Sequence, residues 1–324
     1  MITRRNFCLT ATATLMLPTA WGAEQYPTRA INWIVPYPPG GQTDVTSRIV
    51  TARLGEAIKG TFVVDNRAGA GGTLGTEYAA RAAADGYTVL YVSQATMAAN
   101  LYLYKTLRYD PLKDFIPVHA MFRTPVVLVV DAARAEKTAQ QFIALAKAHP
   151  KKLNFGSAGT GTGTHLSGVL FQDATGIELT HVPYKGSSPA LNDLLGGRID
   201  AMFDYLNVVG PQIKSGKLRA LAVLGQDRLK AYPDIPTIVE LGFPDAVSYS
   251  WSGVAVPAGT PQNIVKKLSD GLDETLRDPA VTGQFEENGA AAMLDIKLES
   301  FRRFIIEEQK KYAEIVRKSG ATIN

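Results

Sequence analysis

Three glycine-rich segments hold the residues most able to do chemistry. They are Pro36-Tyr37-Pro38-Pro39-Gly40-Gly41-Gln42-Thr43-Asp44, Asn66-Arg67-Ala68-Gly69-Ala70-Gly71-Gly72, and Gly156-Ser157-Ala158-Gly159-Thr160-Gly161-Thr162-Gly163-Thr164-His165. Each follows a short apolar or β-branched run and precedes a pattern of helical period. A strand that turns into a helix leaves the first helical N–H groups without backbone partners, beside the carboxyl ends of the strands where α/β sheets bind ligands. Glycine lets successive N–H groups turn toward one point, and the helix end adds partial positive charge, so a carboxylate or phosphate is the expected guest. Any one of these turns read alone is also compatible with a plain tight connection. Three in one chain favour the anion.

More specific chemistries fail on spacing. Gly159-x-Gly161-x-Gly163 is not the G-x-G-x-x-G dinucleotide fingerprint, and no G-x-x-x-x-G-K-[ST] phosphate loop occurs. Phe155 stands two positions before Ser157, so the G-x-S-x-G elbow of a hydrolase is absent. The four histidines, His119, His149, His165 and His181, form no i, i+4 pair and no H-E-x-x-H, and no metal or cofactor is expected. His165 and His181 remain candidates for polar groups lining the site.

The elements that must carry these turns alternate along the chain. Ile31–Pro36, Phe62–Asp65, Thr88–Val92, Val126–Val130, Leu153–Gly156, Leu179–Pro183, Ile199–Phe203, Leu218–Leu224 and Gly253–Val256 read as strands. Between them, stripes such as Val50/Leu54/Ala57/Ile58, Leu166/Val169/Leu170 and Ile264/Leu268/Leu272 have the spacing to bury one helix face on a sheet. Ser188-Pro189 and Thr260-Pro261 each place a capping residue before a proline suited to the first helical position. A long amphipathic helix over Leu298 to Lys318 is expected to close the fold through Phe301, Phe304, Ile305, Tyr312, Ile315 and Val316.

The N-terminus reads as an export address, with Arg4-Arg5 ahead of an apolar run from Cys8 to Leu17 and a break at Pro18. That run, about ten residues, is half of what a spanning helix needs. Cleavage after Gly22 puts Ala20 and Gly22 at −3 and −1, so a mature start near Ala23 in the periplasm is expected. Arg4-Arg5 followed by Phe7 resembles a twin-arginine signal, with an ordinary Sec leader as the alternative. Cys8 is the only cysteine, so the mature chain holds no thiol for a disulfide or a nucleophile. The 324 residues are 46% hydrophobic and 20% charged, enough for two lobes with substantial cores. The net charge of +4 falls to +2 without residues 1–22, which contain Arg4, Arg5 and no acid. Such a small, scattered excess does not make a nucleic-acid-binding face.

Several longer motifs run in order through the chain: Tyr26-Pro27, Val35-Pro36-Tyr37-Pro38-Pro39-Gly40-Gly41 with Asp44, Val64-Asp65-Asn66-Arg67-Ala68-Gly69-Ala70-Gly71-Gly72, Asp85-Gly86-Tyr87-Thr88, Gly156-Ser157-Ala158-Gly159, His181-Val182-Pro183-Tyr184-Lys185-Gly186, Leu195-Gly196-Gly197, Leu218-Arg219-Ala220-Leu221-Ala222-Val223 and Pro257-Ala258-Gly259-Thr260-Pro261. Together they resemble the Bug-type extracytoplasmic solute-binding receptors of tripartite tricarboxylate transporters. The resemblance implies a type II periplasmic-binding-protein fold: two α/β lobes joined by two crossing strands, with the ligand cleft between them. It implies that a ligand carboxylate is held by the first loop (Tyr37, Pro38, Pro39, Gly40, Gly41, Thr43, Asp44) and by Ser157, Ala158, Gly159, Thr160, Gly161, Thr162, Gly163, Thr164 and His165 of the other lobe, through backbone amides and bridging water. Distal ligand groups would be read near Ser93–Thr96, by Tyr184, and at Asp204–Asn207. The Pro38-Pro39 pair departs from the family's usual small residues and removes two donors.

The expected organisation is a leader over 1–22, a discontinuous first lobe over 23–123 and 246–324, and a second lobe over 124–245, with crossings near Phe122–Val126 and between Gly225 and Ser250. Thr43 or Asp44 is expected to cap a helix beginning near Val45. A carboxylate at Asp204 is unfavourable toward an anion, so it suits a ligand amine, a water or a loop amide. Lys185 and Arg67 are the cations nearest the expected cleft. The expected activity is capture of a small organic carboxylate by a monomer that delivers it to membrane permease subunits. An exported sensor presenting its closed form to a membrane kinase would use the same site. An exported hydrolase is disfavoured because spacing shows no nucleophile, base and orienting group together.

Overall fold

The computed structural model describes residues 26–323 except 288. The expected leader and mature start lie outside the described residues. Eleven strands are described: β1 Ile31–Val35, β2 Phe62–Asn66, β3 Thr88–Ser93, β4 Phe115–Pro125, β5 Val127–Asp131, β6 Asn154–Ser157, β7 Thr180–Pro183, β8 Ala201–Asp204, β9 Leu218–Val223, β10 Tyr249–Pro257 and β11 Ala291–Ala292. The helices are α1 Gln42–Ile58, α2 Thr73–Ala80, α3 Asn100–Leu103, α4 Ala139–Ala148, α5 Gly163–Thr175, α6 Ser187–Leu195, α7 Leu206–Lys214, α8 Gln262–Arg277, α9 Pro279–Glu286 and α10 Glu299–Ser319. A π-helical turn over Ala95–Ala99 links β3 to α3.

The strands form two sheets, ordered β11-β4-β10-β3-β1-β2 and β7-β6-β8-β5-β9. Both use one plan. The second local strand is at the edge, followed by the first and the third, then an antiparallel strand that has crossed from the other sheet, then the fourth. In the first sheet the incoming strand is β10, antiparallel to β3 and β4. In the second it is β5, antiparallel to β8 and β9. This is the topology that the type II resemblance implies.

The first crossing passes straight from β4 to β5 at Val126, and the second arrives at Ser248. The two meet Leu224, which follows β9, in a closed ring of backbone hydrogen bonds. Val126 N–H donates to Ser248 O at 3.3 Å, Ser248 N–H to Leu224 O at 2.8 Å, and Leu224 N–H to Val126 O at 2.7 Å. The stretch from 225 to 247 belongs with the second sheet, because Ile238 and Ala246 pack with Phe155 and Phe203, and Leu229 and Ile235 with Met202 and Leu206.

Most expected strands are present within one or two residues. The eleven-residue β4 was not expected as a strand, because His119 and Pro117 interrupt its apolar run; it is nevertheless buried between β10 and β11. Two expected caps are displaced. Thr260 Oγ1 donates to Pro257 O at 2.7 Å, closing the preceding turn, and α8 starts after Pro261. Ser188 and Pro189 lie inside the first turn of α6, whose N-cap is Gly186. Helix α1 begins at Gln42 rather than near Val45, capped by Gly41 without a side chain.

The stripe Leu166/Val169/Leu170 does not face its own sheet. Phe171 does that, and Gly168 leaves room for Phe155, whose Cε2 lies 2.4 Å from where a Cβ would be. The stripe packs instead with Ala98, Leu103, Tyr312, Ile315 and Val316. Helix α10 thus spans both sheets: Phe301 and Ile305 join the first-sheet core with Trp251, while the later half holds α5.

At Gly253 on β10, a Cβ would fall 2.5 Å from Phe301 Cζ and 2.8 Å from the backbone oxygen of His119. Gly253→Val should therefore cost about 1–3 kcal/mol through overpacking. Gly283, inside α9, has open space around it and no positive φ, so Gly283→Ala should stabilise by roughly 0.5–1 kcal/mol. Denaturant melts of the two variants check the opposite signs.

Candidate functional site

Strand β1 delivers the chain to the first glycine turn. There the Asp44 carboxylate turns back as part of the first helical turn, accepting the Gly40 N–H at 2.9 Å through Oδ2. Arg48 Nε donates to the same oxygen at 3.1 Å, and its guanidinium, with the Gly40 amide, holds the Asp44 carboxyl below its ordinary value. So Asp44, not Thr43, braces the turn; the Thr43 carbonyl accepts from Ser47 Oγ at 2.7 Å. The amides of Gly41, Gln42 and Thr43 meet no partner among the described residues. Pro38 and Pro39 are exposed on the turn's outer side.

Tyr37 is fixed at both ends. Its carbonyl accepts from Asn66 Nδ2 at 3.1 Å, and its hydroxyl lies 2.7 Å from Ser93 Oγ. Burial pushes the phenol up to about 12. Gly72 has φ +91°, and a Cβ there would meet Thr96 Cγ2 at 2.9 Å and the Tyr37 ring at 3.2 Å. Gly72 therefore supports Tyr37, while the amides of Ala68, Gly69, Ala70 and Gly71 meet no partner among the described residues. Arg67 is also committed, paired with Asp65 at 2.8 Å and lying over the Tyr78 ring at 3.4 Å. Lys185 is exposed.

The second glycine turn runs from β6 into α5. Thr162 caps the helix, its Oγ1 accepting the His165 N–H at 3.4 Å. Several amides of this turn are used within it. Ala158 N–H donates to Thr164 Oγ1 at 2.9 Å, Gly159 N–H to Ser157 Oγ at 3.1 Å, and Gly161 N–H to His165 Nδ1 at 3.1 Å. Thr162 N–H donates to Gly159 O at 3.3 Å. Buried backbone donors left unpaired are costly, which explains this internal use. The amides of Thr160, Gly163 and Thr164 have no partner among the described residues.

His165 and His181 stack with ring centroids 3.9 Å apart, and His181 Nε2 lies 2.6 Å from Ser157 Oγ. The fold thus creates a serine–histidine pair that spacing did not reveal. Ser157 is fully buried, and burial depresses both histidines to about 4, so this geometry braces the turn and leaves no exposed nucleophile.

Contacts across the seam tie the two turns together. Asn207 Nδ2 donates to Gln42 Oε1 at 3.2 Å. A Cβ on Gly163 would meet Tyr205 Oη at 2.5 Å and Gln94 Nε2 at 2.7 Å. Gln42, Thr43, Thr46, Tyr91, Tyr205 and Ser250 help line a cavity of about 70 Å³. Tyr91 and Ser250 carry no sequence signal for this, since each sits in an ordinary strand pattern. Tyr184 donates its hydroxyl to Asp193 Oδ2 at 2.8 Å and keeps only its ring for other contacts. Asp204 is fully buried, accepts the Tyr205 N–H at 2.8 Å, and is pushed by burial up to about 6.

The chain matches the family model described as "Tripartite tricarboxylate transporter family receptor" over residues 46–321. It is 40% identical over 314 residues to Protein BugT of Bordetella pertussis, covering 97% of this chain and 95% of that protein. The solved structure of R. palustris Rpa4515 with adipate is 35% identical with a TM-score of 0.79, covering 92% of this chain and 100% of the other. MatC from Rhodopseudomonas palustris with bound malate is 30% identical with a TM-score of 0.75, covering 90% and 100%. Members of this family are periplasmic solute-binding receptors, and no described helix is long and apolar enough to cross a membrane. On its sequence, its topology and these likenesses, the chain belongs to the tripartite tricarboxylate transporter receptor family, the Bug-type solute-binding proteins.

Proposed function

We propose that this protein captures a small organic carboxylate between its two sheets in the periplasm and hands it to the membrane permease subunits of a tripartite tricarboxylate-type transporter. One observation carries the reading: two helix N-termini, at α1 and α5, come from opposite sheets and each keeps three unpaired amides, Gly41, Gln42 and Thr43 on one and Thr160, Gly163 and Thr164 on the other. Donors of this kind suit an oxyanion and need no cation. The adipate and malate held by the two relatives make C4 to C6 dicarboxylates the first candidates.

In this reading the chain is exported by the leader over 1–22 and acts as a monomer. The lobes follow the expected division into 23–123 with 246–324, and 124–245, except that Ala246 and Val247 go with the second lobe, on whose core they pack. Ser93, Tyr184 and Asp204 face the distal part of the ligand. Asp204, with its raised carboxyl, meets a hydrogen-bond donor of the ligand or a water.

Calorimetry across mono-, di- and tricarboxylates should find at least one with Kd below about 10 μM, or roughly −7 kcal/mol. Silence across the whole panel overturns the reading. Gly163→Val should weaken that binding by about 1–3 kcal/mol, because it pushes Tyr205 and Gln94 apart at the seam and covers an open amide. Its melting temperature should fall less than that of Gly253→Val, since the atoms it meets are the free ends of the Tyr205 and Gln94 side chains rather than backbone. Gly159 is a poorer probe: at φ +136° any side chain strains the fold as well.

A further inference from the structure

We propose that His165 and His181 are positioning residues for the ligand carboxylate: stacked beneath the second glycine turn, they fix its shape through one nitrogen each, and affinity falls when either nitrogen can no longer accept. This rests on the reading that the turn binds the carboxylate. The two rings use different anchor points. His165 Nδ1 accepts the Gly161 N–H, which in the neutral ring places its proton on Nε2. His181 Nε2 meets Ser157 Oγ, and that same oxygen accepts the Gly159 N–H. Gly159 and Gly161 flank Thr160, whose amide stays open. Two amides are thus tied down by the histidines, and the one between them is left for the guest.

A second proton acts differently on the two rings. On His165 it places an N–H against the Gly161 N–H, donor against donor. On His181 it makes Nε2 a donor, so Ser157 Oγ accepts from both the ring and Gly159 and turns its own proton to the Gly159 carbonyl at 3.2 Å; the cost there is the buried charge. Rings 3.9 Å apart also cannot both carry charge cheaply. Among the described residues no carboxylate acts on either ring to offset such a charge. Phe155 of β6 stacks on His181 at 4.9 Å and lies 6.4 Å from His165. Among the described residues the titratable group acting on His165 is His181, and burial alone acts on His181. The depressed value of about 4 for each agrees with this geometry. Both rings are then neutral in the fold at neutral pH. Since an unfolded histidine titrates near 6.5, their contribution to stability is full above that value and is lost as pH falls toward 4.

The test uses the mature protein with adipate and malate as probes, together with the tightest carboxylate of the panel. His165→Asn keeps an acceptor near Nδ1 and His181→Gln keeps one near Nε2, whereas His165→Phe and His181→Leu remove them. The acceptor-keeping variants should hold Kd within about threefold of the parent, and the apolar variants should lose about tenfold or more, one charge-assisted hydrogen bond's worth. As pH falls from 6 to 4, the parent's Kd should weaken more steeply than that of the Asn/Gln double variant, which reports the ligand's own titration. Apolar variants that melt lower but bind as tightly as the parent would reduce the pair to packing and overturn the inference. So would identical pH profiles for parent and double variant. A parent that binds no carboxylate overturns the functional reading and this inference with it, a result distinct from the other two.

Discussion

Val126, Leu224 and Ser248 come from three separate stretches of chain and close a ring of three backbone hydrogen bonds where the two sheets meet. Each residue donates to the next, so no one of them can shift without opening the ring. Every other relation between the sheets is set from this point. It fixes β4 and β5 as one continuous path and brings β10 back antiparallel beside β3, giving both sheets the same strand order. That order puts the carboxyl ends of β1 and β6, and so the two glycine turns, on facing edges.

A second restraint lies at the back of the molecule. Helix α10 carries Tyr312, Ile315 and Val316 onto Leu166 of α5, Lys318 pairs with Asp173 at 2.6 Å, and Lys311 donates to the Val247 carbonyl at 3.0 Å. Ser167 and Ser248 meet at 2.7 Å, so α5 is anchored to the ring itself. Helix α5, whose N-terminus keeps open amides, is therefore held at both its side and its seam.

The alternation of strands and helices was legible from periodicity and the two-lobed architecture through the family resemblance of the ordered motifs, while the glycine turns stood out because glycine next to a helical pattern has few physical uses. The sequence could not show how the donors divide between guest and protein. That division depends on side chains brought from a distance: Asp44 reaching back to Gly40, Thr164 to Ala158, and His165 to Gly161. The stacked histidines were invisible for the same reason, being sixteen positions apart on a helix and a strand. The turn from Asn66 to Gly72 carries a packing demand as well: Leu74 presses on Gly69, Tyr104 on Gly71, and Thr96 with the Tyr37 ring on Gly72, which looks the same in one dimension as a donor cradle. The stripe on α5 likewise had the right period but faced α10 rather than its sheet.

We propose that the two halves, tied at the ring of hydrogen bonds and by α10, close on a carboxylate that neither could surround alone. A ligand can drive such a closure only through a higher affinity for the closed form. Small-angle X-ray scattering of the mature protein, with and without a saturating carboxylate whose binding is confirmed by calorimetry on the same sample, tests this most directly. The account predicts a smaller radius of gyration in the bound state. Superimposable curves with binding confirmed would contradict it, and would mean that the site is already closed before the ligand arrives.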